Sequence, residues 1–529
     1  MKRDINIRKI EDGNQVWDFI VVGGGASGLG AALDASSRGF KVLLLEQSDF
    51  TKATSSRSTK LVHGGVRYLA QGDVGLVVEA LRERGLMREN APHLVKEQRF
   101  IIANYKWWEQ PFYAIGLMVY DILSWGKSLG RSLPLGKKRV LNEIPQVETK
   151  GLKGGVVYYD GQFDDSRMGI NLMQTLEDFG GVPINYMKVV ALQKDSNGKI
   201  CGVTSKDEFT KTTYQIKAKA VVNATGIFVD QLMQMDAPES EDLVRPSQGV
   251  HLVVDSSFLG GDSALMVPKT SDGRVLFGVP WHGKVVLGTT DTPMKEFILE
   301  PKALDSEIDF ILHTAGKYLK KKPQRSDVLS VFAGLRPLAA PAKGTDEQKT
   351  KEISRSHKIY TSESGLVTIT GGKWTTYRDM GEDVINRAIE VNHLPYQPSK
   401  TKEIKIHGYK ITHNRSNFRY VYGTDLYKIQ SLEKSEPELA RKLHPRMDNT
   451  AAEVVWAVQE EMAQRVEDVL ARRFRVLFMD ARAAIDMAPG VAALMAKELG
   501  KDEAWIQHEI QEFCSLAQDY LLEAYLPKL

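Results

Sequence analysis

A glycine cluster set between two buried-strand patterns constrains this chain more than any other feature. Val16–Val22 (VWDFIVV) is a near-continuous apolar run, as expected of a strand covered on both faces of a parallel sheet. Gly23–x–Gly25–x–x–Gly28 follows at once, then small residues and helix formers from Ala26 to Arg38, closed by Gly39 at a C′ position. Lys41 to Glu46 (KVLLLE) is a second apolar run. Strand, glycine turn, helix and strand make a βαβ unit, and this spacing is a dinucleotide fingerprint. Gly23 permits the turn, Gly25 lets a pyrophosphate approach the backbone, and Gly28 lets the helix pack on the strand. The helix N-terminus then faces the phosphates, and Glu46 ends the second strand where a carboxylate can accept ribose hydroxyls.

A chain of 529 residues predicts two or three domains. Val221 to Gly226 (VVNATG) repeats the buried-strand pattern and ends in a turn. Paired with the fingerprint and its extension to Gly30, it points to FAD rather than NAD, with Ala224 and Gly226 beside the cofactor. From Gly249 to Asp291 short β-like runs are split by Gly, Pro and Asp, which predicts an antiparallel sheet. After about residue 400 the apolar period becomes helical. Val455, Val458, Met462, Val466 and Leu470 predict one amphipathic helix, and Pro489–Gly490 is expected to separate two further helices, Asp480–Met487 and Val491–Leu499. The expected fold is α/β, with three parts. A doubly wound, Rossmann-like FAD-binding domain spans 1–95 and continues at about 155–230 and 330–395. An α+β substrate domain with an antiparallel sheet spans 96–154 and 231–329, and an all-α C-terminal domain spans 400–529.

Composition excludes several classes. Lys+Arg number 70 against 67 Asp+Glu, and a net charge of +3 gives no case for a nucleic-acid partner. Cys201 and Cys514 stand far apart, so neither a disulfide framework nor a thiolate metal site is expected, and a reducing, cytoplasmic setting is the natural one. His251 and His282 lack ligand spacing, and no metal is expected. The charged N-terminus has no apolar signal-peptide core. The apolar stretch from Pro111 to Trp125 is interrupted by Asp121 and falls short of the ~20 residues of a spanning helix. The aromatic residues of 105–125, followed by Lys127, Arg131, Lys137, Lys138 and Arg139, suit either a buried segment with a solvated basic loop after it or an interfacial patch at a membrane surface, and only the family resemblance described below favours the second.

The segment TSSRSTKLVHGGVRYL (54–69) carries the most chemistry. Its hydroxyls suit phosphates and ring edges, and Gly64 and Gly65 would let backbone lie against a flat ring. Ser55, Ser56, Lys60, Gly64, Gly65 and, later, Gly372 are read as cofactor contacts. The segment resembles the FAD-dependent glycerol-3-phosphate dehydrogenases. GLRPL (334–338), GGKWTTYR (371–378) and the helical stretch 452–478 resemble further parts of that family in the right order. The resemblance implies oxidation of sn-glycerol 3-phosphate to dihydroxyacetone phosphate, with FAD reduced and then reoxidised by a quinone at the inner face of the cell membrane. It also implies that Arg67, Arg336, Arg355 and Lys373 grip the phosphate, with Tyr68 lining the pocket. Arg336 and Lys373 would further stabilise the developing carbonyl oxygen.

His63 and His251 are the two candidates for the base, because imidazole titrates near the working pH. Val250 stands where the family's pattern has Ser. GTTD (288–291) reads as a structural turn. Some relatives instead reduce oxygen and carry an extra insertion before the C-terminal region. The short intervals here favour quinone. A more distant reading is an amino- or hydroxy-acid flavin dehydrogenase, and a third is a flavoprotein without turnover. Oligomeric state is left open, a homodimer included.

Overall fold

Val16–Val22 forms the centre of an eight-stranded sheet, counted among the described residues. The fold is that of a computed structural model, which describes residues 2–69, 72–124, 126–270, 273–340, 356–412, 415 and 417–525, the side chains of Arg67 and Tyr68 excepted. Val42–Leu45 flanks the central strand on one side and Thr213–Asn223 on the other, both parallel to it. Val22 is level with both Leu45 and Asn223, so the three strands end together. Parallel sheets bind ligands at that carboxyl edge. Val367–Gly371 extends the parallel set, and His357–Thr361 closes it as an antiparallel edge.

Helix Ala26–Ser37 rises from the fingerprint, with Gly39 at φ +97° where the expected C′ glycine falls. It crosses helix Tyr377–Val391 backbone to backbone. A Cβ on Gly30 would lie 2.5 Å from the Tyr377 carbonyl oxygen, and one on Gly381 would lie 2.5 Å from the Gly30 carbonyl carbon. A second, mostly antiparallel sheet, of ten strands among the described residues, stands against this layer. Its strand Val244–Asp255 pairs with Ser330–Ala339 on one side and Lys284–Gly288 on the other, with His251 opposite Phe332 and Ser247 opposite Arg336. The expected antiparallel run from Gly249 is therefore present. Helix Glu109–Leu123 covers the outside of this sheet with Ala114, Leu117 and Tyr120.

Among the described residues the C-terminal region is helical apart from one short hairpin, Lys442–His444 with Met447–Thr450. Two expectations need correction there. The helix expected through Val455 and Leu470 is broken: Ala451–Glu460 ends, Met462 takes φ +55°, and Leu470 lies on a separate π-type turn, Asp468–Arg473. Glu461 turns inward to accept hydrogen bonds from the two terminal guanidinium nitrogens of Arg167, each at 2.7 Å, and Asp468 caps the Gln464 and Arg465 amides. Conversely, Pro489 does not divide two helices. Ala481–Leu499 runs through it, because Met487, Ala488, Val491 and Ala492 are buried in one core on both sides of the lost amide bond. Asp49, just beyond the Glu46 strand, is sandwiched between Arg472 and Arg473, so the helical domain is ion-paired to the fingerprint domain.

Candidate active site

A cavity of about 340 Å³ opens at the carboxyl edge of the parallel strands and runs to the strands that carry His251 and Arg336. The fingerprint builds one end. Gly23 has φ +109°, and a side chain there would strike the Ala224 carbonyl oxygen at 2.5 Å. The residue must be glycine on both counts. Gly28 sits under the Gly23 carbonyl and away from the cavity, so its part is helix–strand packing. Gly25 caps the helix without a side chain, and only Ser55 Oγ approaches its missing Cβ, while also accepting the Ala26 amide at 3.0 Å. Backbone donors at a helix N-terminus thus face open space, a cradle that a pyrophosphate fits. Glu46 accepts the Gly24 amide at 2.6 Å on one oxygen and the Ser48 amide at 2.9 Å on the other. Burial pushes its carboxyl above the usual range while these two donors pull it down. Lone pairs remain for ribose hydroxyls. The residues present fit FAD.

The other end is built on the paired strands. His251, Gly249 and Ser247 alternate onto the face that carries Arg336 across the register. His251 stacks on Phe332 (centroids 4.9 Å apart), shares a hydrogen bond with Thr59 Oγ1 at 2.9 Å, and has no partner for Nδ1 among the described residues. Burial, with Arg336 and Lys60 nearby, holds its pKa well below the ordinary value, so the imidazole is neutral. Arg336 lies over Gly249 and donates to Asp291 (3.2 Å), Thr289 Oγ1 (3.1 Å) and the Thr290 carbonyl (3.0 Å). The turn read as merely structural therefore anchors this guanidinium. Lys373 follows Gly371 and Gly372, both with positive φ, and lines the same cavity. The next residue, Trp374, donates from Nε1 to the Ser55 carbonyl at 2.8 Å and ties the two walls together.

The comparisons with known proteins agree along the whole chain. Residues 18–378 match the family described as FAD dependent oxidoreductase, and residues 395–506 match the C-terminal domain of alpha-glycerophosphate oxidase. The mitochondrial glycerol-3-phosphate dehydrogenase of Macaca fascicularis is 38% identical over 96% of this chain and 73% of its own. The chain belongs to the FAD-dependent glycerol-3-phosphate dehydrogenases. The enzyme of that name from Schizosaccharomyces pombe is 36% identical over 98% of this chain and 89% of its own. The Bacillus halodurans glycerol-3-phosphate dehydrogenase, solved in complex with FAD, superposes with a TM-score of 0.80 at 28% identity and covers 99% of both chains.

Among the residues that sequence singled out, Gly23, Gly25, Glu46, Ser55, Ala224 and Gly226 line the fingerprint half of the cavity. His63, His251, Arg336, Gly372 and Lys373 line its far half. Four expected cofactor contacts lie elsewhere. Ser56 is buried on Thr51, and Lys60 is sealed inside the fold, where its amine donates to Asp165 at 2.8 Å and to the Ser56 carbonyl at 2.7 Å. A lysine this deep compensates a buried carboxylate rather than meeting a ligand. Gly64 lies behind the cavity wall, pressed against Tyr120 and Leu81, and Gly65, at φ +78°, is not part of the cavity lining. Arg355 and the side chains of Arg67 and Tyr68 fall outside the described residues. Val250 points into the opposite core, so the Ser-to-Val departure is not at His251 itself.

Sequence reasoning did not single out Gly249, Thr59, Lys52 or Arg57, although Arg57 and Thr59 lie inside the 54–69 segment and Thr59 counted there as one of its hydroxyls. Lys52 is paired with Glu467, and Arg57 is held by Glu300 and the Tyr520 hydroxyl. Both line the cavity, and both depend on the C-terminal domain.

Proposed function

We propose that this enzyme oxidises sn-glycerol 3-phosphate to dihydroxyacetone phosphate and delivers the electrons to a quinone at a membrane surface. FAD, bound in the cradle, supplies the hydride acceptor. The observation that carries the reading is the placement of the Arg336 guanidinium over the bare Gly249, on the same strand face as a neutral His251. Arg336 and Lys373, with Arg67 and Arg355 from their neighbouring motifs, hold the phosphate dianion by charge-assisted hydrogen bonds. His251 takes the hydroxyl proton as the carbon loses hydride. It is uncharged at neutral pH and lines the cavity on the face that carries Arg336.

The membrane part rests on helix Glu109–Leu123. Its inner face is apolar, and so is its outer one: Trp108, Phe112, Ile115, Val119 and Ile122 recur at helical spacing and are exposed, Ile122 by 74%, beside Trp107 at 83%. A helix apolar on both faces has a second apolar surface to cover. Exposed Arg131, Lys137, Lys138 and Arg139 follow close by, which suits anionic headgroups. Among the described residues no helix is long and apolar enough to cross a membrane. The reading is peripheral attachment, at the inner face of the cell membrane as the family resemblance implies. The test is turnover of glycerol 3-phosphate with anionic vesicles containing a quinone, against turnover in air without it. Quinone reduction coupled to substrate supports the proposal. Stoichiometric peroxide, with quinone without effect, assigns an oxidase instead.

A further inference from the structure

The loop that carries His63 is fixed from behind by a side chain of the exposed apolar helix. Strand Leu61–Val62 pairs with Gln162 and Gly161 and then leaves the sheet, so the next amides have no strand partner. The His63 amide donates to Thr375 Oγ1 at 3.3 Å, and the Gly64 amide donates to the Tyr120 hydroxyl at 2.8 Å. Tyr120 in turn donates to Asp160 at 2.9 Å, and Asp160 is paired with Arg84 at 2.6 Å. All three side chains are buried. Burial, with Asp160 beside it, pushes the phenol well above its usual range, so Tyr120 keeps its proton and the donor direction is fixed. The ring packs on Val77 and Leu81, and position 64 has no room for a side chain between them: a Cβ there would lie 2.5 Å from the Tyr120 oxygen. Three residues beyond His63 the short helix Val66–Leu69 begins, which carries Arg67.

We propose that Tyr120 is a positioning residue that sets the His63 wall of the cavity, by holding Gly64 behind it, and couples that wall to a membrane surface under the outer face of helix Glu109–Leu123. The coupling half rests on the membrane reading above, whereas the positioning half does not. The Tyr120 hydroxyl joins the helix to the Gly64 amide and is itself held by Asp160 and Arg84, so a shift of the helix is transmitted to the wall instead of being absorbed by solvent.

The test uses holoenzyme and the variant Tyr120→Phe, which keeps the ring and removes both hydrogen bonds. Three readings are taken: the visible spectrum of oxidised flavin, the anaerobic rate of flavin reduction by saturating glycerol 3-phosphate, and that rate with phosphatidylcholine–phosphatidylglycerol vesicles. The expected result is retained FAD, a shifted flavin band and a reduction rate lower by about tenfold, as for a sub-ångström displacement of the wall. Vesicles should change the wild-type rate and leave that of the variant unchanged, although both proteins co-sediment with them. A variant with the wild-type spectrum and rate overturns the positioning claim. Equal vesicle responses in the two proteins overturn the coupling. A wild type that does not co-sediment removes the membrane reading and the coupling with it, and the vesicle-free rates then decide the positioning claim alone. If Tyr120→Phe loses FAD, Gly64→Ala displaces the same hydroxyl without deleting it. The same spectral and rate changes there support the claim, and loss of FAD in both variants refutes it in favour of a purely structural contact.

Discussion

Gly249→Ala adds one methyl group beneath the guanidinium that the proposed mechanism relies on. The new Cβ would lie 2.7 Å from Arg336 Cζ and 2.8 Å from Thr289 Oγ1. Non-bonded carbons sit at ~3.5–4.0 Å, so relief requires a lift of about 1 Å. Strand Val244–Asp255 cannot yield, because it is paired on both sides. Arg336 can, since it is the far end of a flexible side chain, 23% exposed. The lift stretches its hydrogen bonds to Asp291, Thr289 and Thr290 and moves it off the phosphate position. A misplacement of about 1 Å costs on the order of 10²-fold in rate, or about 2.7 kcal/mol of transition-state stabilisation. FAD should stay bound, because Gly249 lies at the end of the cavity remote from the fingerprint. Anaerobic stopped-flow reduction of the flavin across a series of substrate concentrations measures both rate and affinity. A variant that holds FAD and reduces it with wild-type rate and affinity would show that Arg336 does not handle the substrate.

Other substitutions probe separate links. Gly25→Val should abolish FAD binding, read as a colourless purified protein, because a branched side chain fills the space beside Ser55 where the pyrophosphate fits. His251→Asn should slow flavin reduction by about 10²–10⁴-fold with partial recovery at high pH. His63→Asn should leave the rate near wild type, and the reverse pattern would move the base to His63. Glu461→Gln should destabilise the enzyme by about 3–5 kcal/mol in urea unfolding, since it strands the buried Arg167 guanidinium. His407 bridges Asp178 and Asp425; burial opposes its charge, yet the two carboxylates push its pKa to about 9. Its folded pKa lies above the unfolded value of about 6.5, so its contribution is full below that pH and is lost as pH rises through 9. His407→Gln should therefore lower the melting temperature by about 3 °C at pH 6 and make no difference at pH 10.

The fingerprint end of the site was legible because its requirements are local. Gly23, Gly25 and Glu46 are tied to one turn and two strands by backbone geometry that tolerates few alternatives. The far end was legible only in part. Arg336 and His251 lie 85 residues apart in sequence, and register pairing alone brings them onto one face. Lys60 misled because a lysine among hydroxyls and glycines looks like a phosphate ligand, whereas its partner Asp165 is distant in sequence. Gly249 carries no signal beyond its own name, and Thr59 counted only as one hydroxyl of the 54–69 segment, since what matters is the side chain placed against each. In the C-terminal region, apolar period overrode the two features that break and join helices. Glu461 interrupts a periodic run to neutralise Arg167, and a buried core carries Pro489 inside a continuous helix.

The proposed function requires a cation cluster that selects a phosphorylated alcohol for the flavin. Its most direct test is the visible absorbance of holoenzyme mixed without oxygen with sn-glycerol 3-phosphate, glycerol or lactate. The account predicts rapid bleaching by the phosphate ester and none by the other two. A flavin that stays yellow with glycerol 3-phosphate, or that bleaches equally with lactate, would contradict it.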